Sequence, residues 1–159
     1  IDIMLFGDDL GSNQGPIIDP EMHREYYKPY HRKMWVMVKK IAPHVKILLH
    51  SCGGIEPYLN DLIEAGLDAV NPVQVSCKGM ELESLKNKYE GRITLWGGGC
   101  DTQHILPHGT PGIIEEHVKH QLDLWRDSGG YVFQQVHNIT ADVPTQNIIA
   151  LLEAVNKFR

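Results

Sequence analysis

Five runs that read as β-strands alternate along this chain with five that read as α-helices. The strand-like runs cover residues 3–6, 46–49, 69–73, 93–96 and 131–136. Alternation of this kind is typical of βα units, in which successive strands lie parallel and helices cover the sheet. We therefore expect an α/β fold with a parallel sheet, in which residues 1–159 form one domain or part of one.

The helix-like runs carry signals for where they begin and end. They cover residues 20–41, 56–65, 81–89, 110–127 and 144–158. Asp19 followed by Pro20 is typical of a helix start, and Gly66 is typical of a helix end. Pro29 removes a backbone donor inside the first run, so we expect that helix to kink or restart there.

Composition and charge narrow the class of protein. The chain is 42% hydrophobic and 22% charged, and its net charge of -5 comes with scattered rather than clustered basic residues, so we expect no nucleic-acid partner. No apolar stretch approaches the roughly 20 residues of a membrane span, and no signal-peptide pattern is present. We expect no membrane partner and a cytoplasmic location. The three cysteines have no disulfide-framework spacing, which leaves them for metal binding or packing.

Chemically useful residues follow the predicted strands. They are Gly7-Asp8-Asp9, His50-Ser51-Cys52-Gly53, Gln74, Gly97-Gly98-Gly99-Cys100-Asp101 and His137-Asn138. Because the carboxyl ends of parallel strands share one rim of the sheet, we expect these segments to converge there.

His50 and Cys52 stand two positions apart at the end of a strand. Residues i and i+2 of a strand point to the same face, and imidazole and thiolate are both good zinc ligands. The alternative is a strand-end histidine beside a small buried thiol.

For the other residues expected at the rim, a functional role and a purely structural role are both open. Asp9 and Asp101 are candidates to orient ligands or accept a proton, although aspartate beside glycine also stabilises turns. Gly97, Gly98 and Gly99 lack the lysine and hydroxyl residue of a phosphate-binding loop, so close backbone approach to a large flat ligand is the role we favour.

The remaining histidines fall mostly on predicted helices, where a solvated face is expected. They include His23, His31 and His117.

Seven segments resemble the uroporphyrinogen decarboxylase superfamily, which also contains zinc-dependent corrinoid methyltransferases. They span nearly the whole chain: 7–12, 19–22, 28–31, 49–53, 71–74, 96–103 and 136–139. The resemblance implies a (β/α)8 TIM barrel, which needs about 250 residues and eight strands. The chain is thus similar to the C-terminal five βα units of such a barrel. It begins at Ile1 within a strand-like run, so we expect a piece of a longer protein.

An open part of a barrel exposes strand edges and apolar surface. We therefore expect the chain to be unstable, to form a homo-oligomer, or to pair with the missing N-terminal part.

The resemblance also bears on the metal. A His-X-Cys pair on this strand marks the methyltransferase branch, where it supplies two of three zinc ligands. The third ligand there is a cysteine after the last strand, and the matching position here is His137. Because the decarboxylases also carry a histidine there, His137 is either a third zinc ligand or a metal-free substrate contact. Cys100 is the rival ligand, with a small core residue as its alternative.

With this resemblance, three functions are alternatives, of which the first is the leading hypothesis. The first is a zinc-dependent methyltransferase that moves a methyl group between a small-molecule donor or acceptor and a corrinoid held by a partner protein. The metal ligands are then His50, Cys52 and His137, with Asp9 and Asp101 orienting substrate or ligands. The second is cofactor-free decarboxylation of a tetrapyrrole. The third is a non-catalytic barrel fragment that binds or assembles.

Overall fold

The structure is a computed structural model that describes the whole chain, residues 1–159. Its strands form a five-stranded sheet and a separate two-stranded hairpin. In chain order they are β1 (Ile3–Gly7), β2 (Gly11–Ser12), β3 (Gly15–Pro16), β4 (Lys46–His50), β5 (Ala69–Asn71), β6 (Thr94–Trp96) and β7 (Tyr131–Val132). The main sheet has the order β1-β4-β5-β6-β7 with every neighbouring pair parallel, which confirms the predicted α/β fold.

Helices connect successive strands of the sheet. They are α1 (Pro20–Met22), a π-helical turn (His23–Tyr27), α2 (Lys28–Ile41), a 3-10 turn (Glu56–Tyr58), α3 (Leu59–Ala65), α4 (Leu82–Tyr89), α5 (Ile105–His108), α6 (Pro111–Asp123) and α7 (Thr145–Phe158). None of them combines the length and the apolar character needed to cross a lipid bilayer.

The helix ends follow the local signals. The Asp19 carboxylate accepts a hydrogen bond of 2.8 Å from the Glu21 backbone N–H, as an N-cap does. Gly66 takes a left-handed conformation with φ of 112° after α3. The π-helical turn ends at Tyr27 and α2 begins at Lys28 with Pro29 in its first turn, which is the predicted restart.

Helices pack against one face of the main sheet. Ile47 and Leu49 of β4 and Val70 of β5 are fully buried in a cluster with Trp35 of α2 and Leu62 of α3. A second, smaller cluster lies between α6 and α7. Alternation along β4 therefore directs its other side chains, including His50, to the opposite face.

The opposite face of the sheet is open. Residues from every main strand line a cavity of about 740 Å³ on it: Ile3, Lys46, Ala69, Trp96 and Val132. β1 and β7 stand at the two ends of the sheet and do not pair with each other. The chain therefore forms an arc of parallel βα units, and the barrel is not closed.

Two histidines depart from the sequence prediction. His23 and His31, expected on a solvated face, have only 0% and 5% of their surface exposed. The His31 ring stacks on Trp35 at 4.9 Å, and the His23 ring lies 4.5 Å from that of Tyr58. The prediction was wrong because the π-helical turn packs His23 against Tyr58, and because His31 shares the inward face of α2 with Trp35, four residues further on. The fifth strand is also shorter than predicted and ends at Val132.

Candidate functional site

Three potential metal ligands meet at the carboxyl ends of β1 and β4. The ligand atoms of Asp9, His50 and Cys52 all lie within 4.8 Å of one another. His50 Nε2 is 3.6 Å from Cys52 Sγ, and Asp9 Oδ1 accepts a 2.9 Å hydrogen bond from the Cys52 backbone N–H. The structure thus brings His50 and Cys52 together, as their spacing predicted, and adds Asp9 from the segment after the neighbouring strand, β1.

The spacing of the nitrogen and sulfur atoms fits one shared ion. Ligands bound tetrahedrally at about 2.1 Å (nitrogen) and about 2.3 Å (sulfur) from zinc lie about 3.6 Å apart. His50 Nε2 and Cys52 Sγ have that separation without any rearrangement. With a carboxylate as third donor, such a set leaves one coordination position for water or substrate, as in catalytic zinc sites.

The charges in the group also suit a cation. Burial raises the pKa of the Cys52 thiol, and the Asp9 carboxylate raises that pKa further. Without a cation, a Cys52 thiolate and Asp9 would repel each other, and a bound divalent cation reverses this balance. Asp9 is exposed and the other two side chains are partly exposed, so the group is accessible from solvent.

The loop that carries Cys52 is held by the β2–β3 hairpin. Gly53 has a φ of 86°, and a Cβ there would meet the hairpin backbone, with Ser12 N only 2.6 Å away. Gln74 Oε1 accepts a 2.8 Å hydrogen bond from Gly53 N, and Gln74 Nε2 donates to Asn13 Oδ1 at 2.7 Å. Hydrogen bonds therefore fix the backbone at Cys52 and at Gly53, which positions Cys52 Sγ.

The second ring nitrogen of His50 is also engaged. His50 Nδ1 lies 2.9 Å from Asn71 Oδ1. Asn71 Nδ2 in turn donates to the Trp96 carbonyl oxygen and to Gln134 Oε1, both at 3.1 Å. This contact was missed at the sequence level, although Asn71 ends a strand whose register places it beside His50.

Comparison with known proteins decides the family. The uroporphyrinogen decarboxylase (URO-D) family model matches residues 3–158. The chain belongs to the URO-D family. This confirms the superfamily that the sequence motifs indicated.

The URO-D family match is supported by curated relatives. The chain is 27% identical over 144 residues to the uroporphyrinogen decarboxylase of Legionella pneumophila strain Corby, covering 91% of this chain and 39% of the relative. It is 26% identical over 151 residues to that of Xylella fastidiosa strain Temecula1, covering 91% and 40%. The chain thus spans about two fifths of the length of the curated relatives it matches.

A solved structure shares the fold. A methyltransferase from Methanosarcina mazei superposes with a TM-score of 0.72 at 21% identity, over 99% of this chain and 42% of that chain. At this identity the likeness shows the fold of the URO-D chain, an arc of parallel βα units.

The predicted third ligand, His137, and its rival, Cys100, both lie outside the group in this URO-D family chain. His137 is exposed and is not among the three clustered ligands, so its role as third ligand stays a prediction. Cys100 is fully buried among Leu106 and Ile114, and burial raises its pKa to about 12. Its surroundings match the alternative of a small core residue.

Asp101 makes the contacts of a turn residue. Its Oδ1 accepts hydrogen bonds from the backbone N–H groups of Gln103 and His104, and its Oδ2 lies 2.9 Å from His104 Nδ1. It lines a groove with His117 and Gln121, apart from the group of three ligands. A catalytic role for Asp101 stays a prediction.

The three glycines after β6 are buried against the protein itself. Gly97 and Gly98 have φ values of 115° and 80° and pack against Val73. A Cβ on Gly99 would collide with the Phe133 ring. These contacts account for the glycines through internal packing, and close approach to a flat ligand stays a prediction.

Proposed function

We propose that this chain contributes the metal centre of a zinc-dependent methyltransferase. In this proposal Asp9, His50 and Cys52 hold the ion, and a methyl group passes between a small molecule and a corrinoid carried by a partner protein. The single observation that carries the proposal is the convergence of a nitrogen, a sulfur and a carboxylate within 4.8 Å at the open rim. The metal-free decarboxylases that the sequence resembles do not need such a donor set.

The chain's own residues hold the site in place. Asp9 fixes the Cys52 backbone through its 2.9 Å hydrogen bond, while the strand alternation of β4 directs His50 to the same point. Bound zinc supplies Lewis acidity, which lowers the pKa of a thiol acceptor or polarises a methylated donor. Asp9, the most exposed of the three ligands, leaves the ion open to a substrate that enters from the rim.

Metal content is the direct test. We expect the purified protein to bind one zinc ion per chain, and Cys52→Ala and His50→Ala to abolish that binding. Cys77→Ala is the matched control, because Cys77 is a buried cysteine outside the group. A His137→Ala variant tests the ligand that the sequence predicted. Absence of zinc from the wild-type protein, or full retention in Cys52→Ala, overturns the proposal.

The second candidate is cofactor-free decarboxylation of a tetrapyrrole. The names of the curated relatives favour it, since each is a uroporphyrinogen decarboxylase. It predicts that carboxyl loss from an acidic tetrapyrrole survives both chelation and the Cys52→Ala change. The proposed methyl transfer predicts that chelation abolishes activity, so measuring each reaction with and without chelator separates the two.

A further inference from the structure

A chain of hydrogen bonds runs from the segment after β7 to the candidate metal ligand on β4. Gln134 Oε1 and the Trp96 carbonyl oxygen both accept from Asn71 Nδ2 at 3.1 Å. Asn71 Oδ1 lies 2.9 Å from His50 Nδ1. His50 Nε2, the other ring nitrogen, is the atom that faces Cys52 Sγ.

The Trp96 carbonyl fixes which way the Asn71 amide points. A backbone carbonyl oxygen only accepts hydrogen bonds, so the NH₂ group of Asn71 must face it. The amide oxygen therefore faces His50, and an amide oxygen also only accepts. Nδ1 of His50 must carry the proton, which in a neutral imidazole leaves the lone pair on Nε2.

We infer that Asn71, held by Trp96 and Gln134, is a positioning residue that selects the Nδ1–H tautomer of His50. The lone pair of Nε2 then points at the space shared with Cys52 and Asp9. Histidines that bind metals usually donate their second N–H to such a partner, which fixes the ring and raises its basicity. The effect of Asn71 on zinc affinity rests on the proposed function, whereas its effect on the tautomer of His50 does not.

Two separate measurements test the inference, one of the His50 tautomer and one of the zinc affinity. Nitrogen-15 NMR of the metal-free protein reports which nitrogen of His50 is protonated. We expect Nδ1–H in the wild-type protein and a mixture of tautomers in Asn71→Leu. Zinc titration should show an affinity loss of about 10- to 100-fold in Asn71→Leu, the effect typical of losing such a partner.

Two further variants separate positioning from folding. Asn71→Asp keeps an acceptor for His50 Nδ1 but loses the N–H group that meets the Trp96 carbonyl, so we expect it to keep Nδ1 protonated and to bind zinc more tightly than Asn71→Leu. Asn138→Leu changes an exposed asparagine in the segment after β7 and should alter neither measurement. Circular dichroism checks that each variant is folded, and Asn71→Asp decides the question if Asn71→Leu does not fold.

The outcomes are distinguishable. An Nε2–H tautomer in the wild-type protein overturns the inference, as does wild-type zinc affinity in a folded Asn71→Leu. Loss of the Nδ1 proton in Asn71→Asp also overturns it. If the wild-type protein has the Nδ1–H tautomer and loses it in Asn71→Leu but binds no zinc, the role of Asn71 stands and the proposed function fails.

Discussion

The Asp9 carboxylate accepts a hydrogen bond of 2.9 Å from the backbone N–H of Cys52, which ties the segment after β1 to the segment after β4. One oxygen of the Asp9 carboxylate thereby fixes the loop. Burial raises the pKa of the Cys52 thiol, and the negative charge of Asp9 raises it further. Structural and electrostatic roles of Asp9 can be separated by substitution.

Asp9→Asn retains an oxygen that accepts from the Cys52 N–H but removes the negative charge. We expect the pKa of the Cys52 thiol to fall in the metal-free protein, so that alkylation at a fixed pH near 8 becomes faster. Burial still holds the pKa above its usual value. Asp19→Asn is the control, since asparagine caps helices about as well as aspartate. An unchanged alkylation rate in Asp9→Asn would contradict the electrostatic role.

The three cysteines differ in accessibility. Cys52 is partly exposed, whereas Cys77 and Cys100 are buried. We expect an alkylating reagent to label Cys52 first in the folded, metal-free protein, and zinc to suppress that labelling until a chelator is added. Peptide mass spectrometry identifies the labelled residue. Labelling of Cys52 that ignores zinc would count against the metal site.

Gly53 is required by the approach of the hairpin to the Cys52 loop. In Gly53→Ala the new Cβ meets Ser12 N at 2.6 Å in a left-handed conformation, so we expect unfolding in urea to show a loss of at least about 3 kcal/mol. Gly91 has a similar φ of 73° but open space around it. Gly91→Ala should therefore cost only about 1–2 kcal/mol, the cost of the left-handed backbone alone. Equal losses would show that the close approach does not matter.

The burial of His23 predicts a sensitivity to acid. Burial lowers the pKa of His23, and neighbouring His31 lowers it further, while Asp61 and Asp8 oppose the shift. Both ring nitrogens lack hydrogen-bond partners. Because the unfolded chain then binds a proton more readily than the folded one, the free energy of unfolding should fall as the pH drops below about 6.5.

His23→Phe removes this titration and keeps an aromatic ring against Tyr58. We expect its free energy of unfolding to exceed that of the wild-type protein by an amount that grows between pH 7 and pH 5. Urea unfolding at each pH measures the difference. A difference independent of pH would show that protonation of His23 does not contribute.

Local sequence rules predicted a large part of the fold. The alternation of strand-like and helix-like runs predicted that the main strands lie parallel, and Pro29 predicted that the first long helix restarts. The fifth strand was predicted too long, because a run of apolar and polar residues does not reveal where backbone pairing stops.

The candidate site divides in the same way. The sequence by itself determined that His50 and Cys52 face one point, because extended backbone directs residues two positions apart to the same side. Only the tertiary structure decided that Asp9 and Asn71 join them and that His23 is buried. These contacts depend on the register between strands and on the packing of the π-helical turn against Tyr58, and residues far apart in the chain set both.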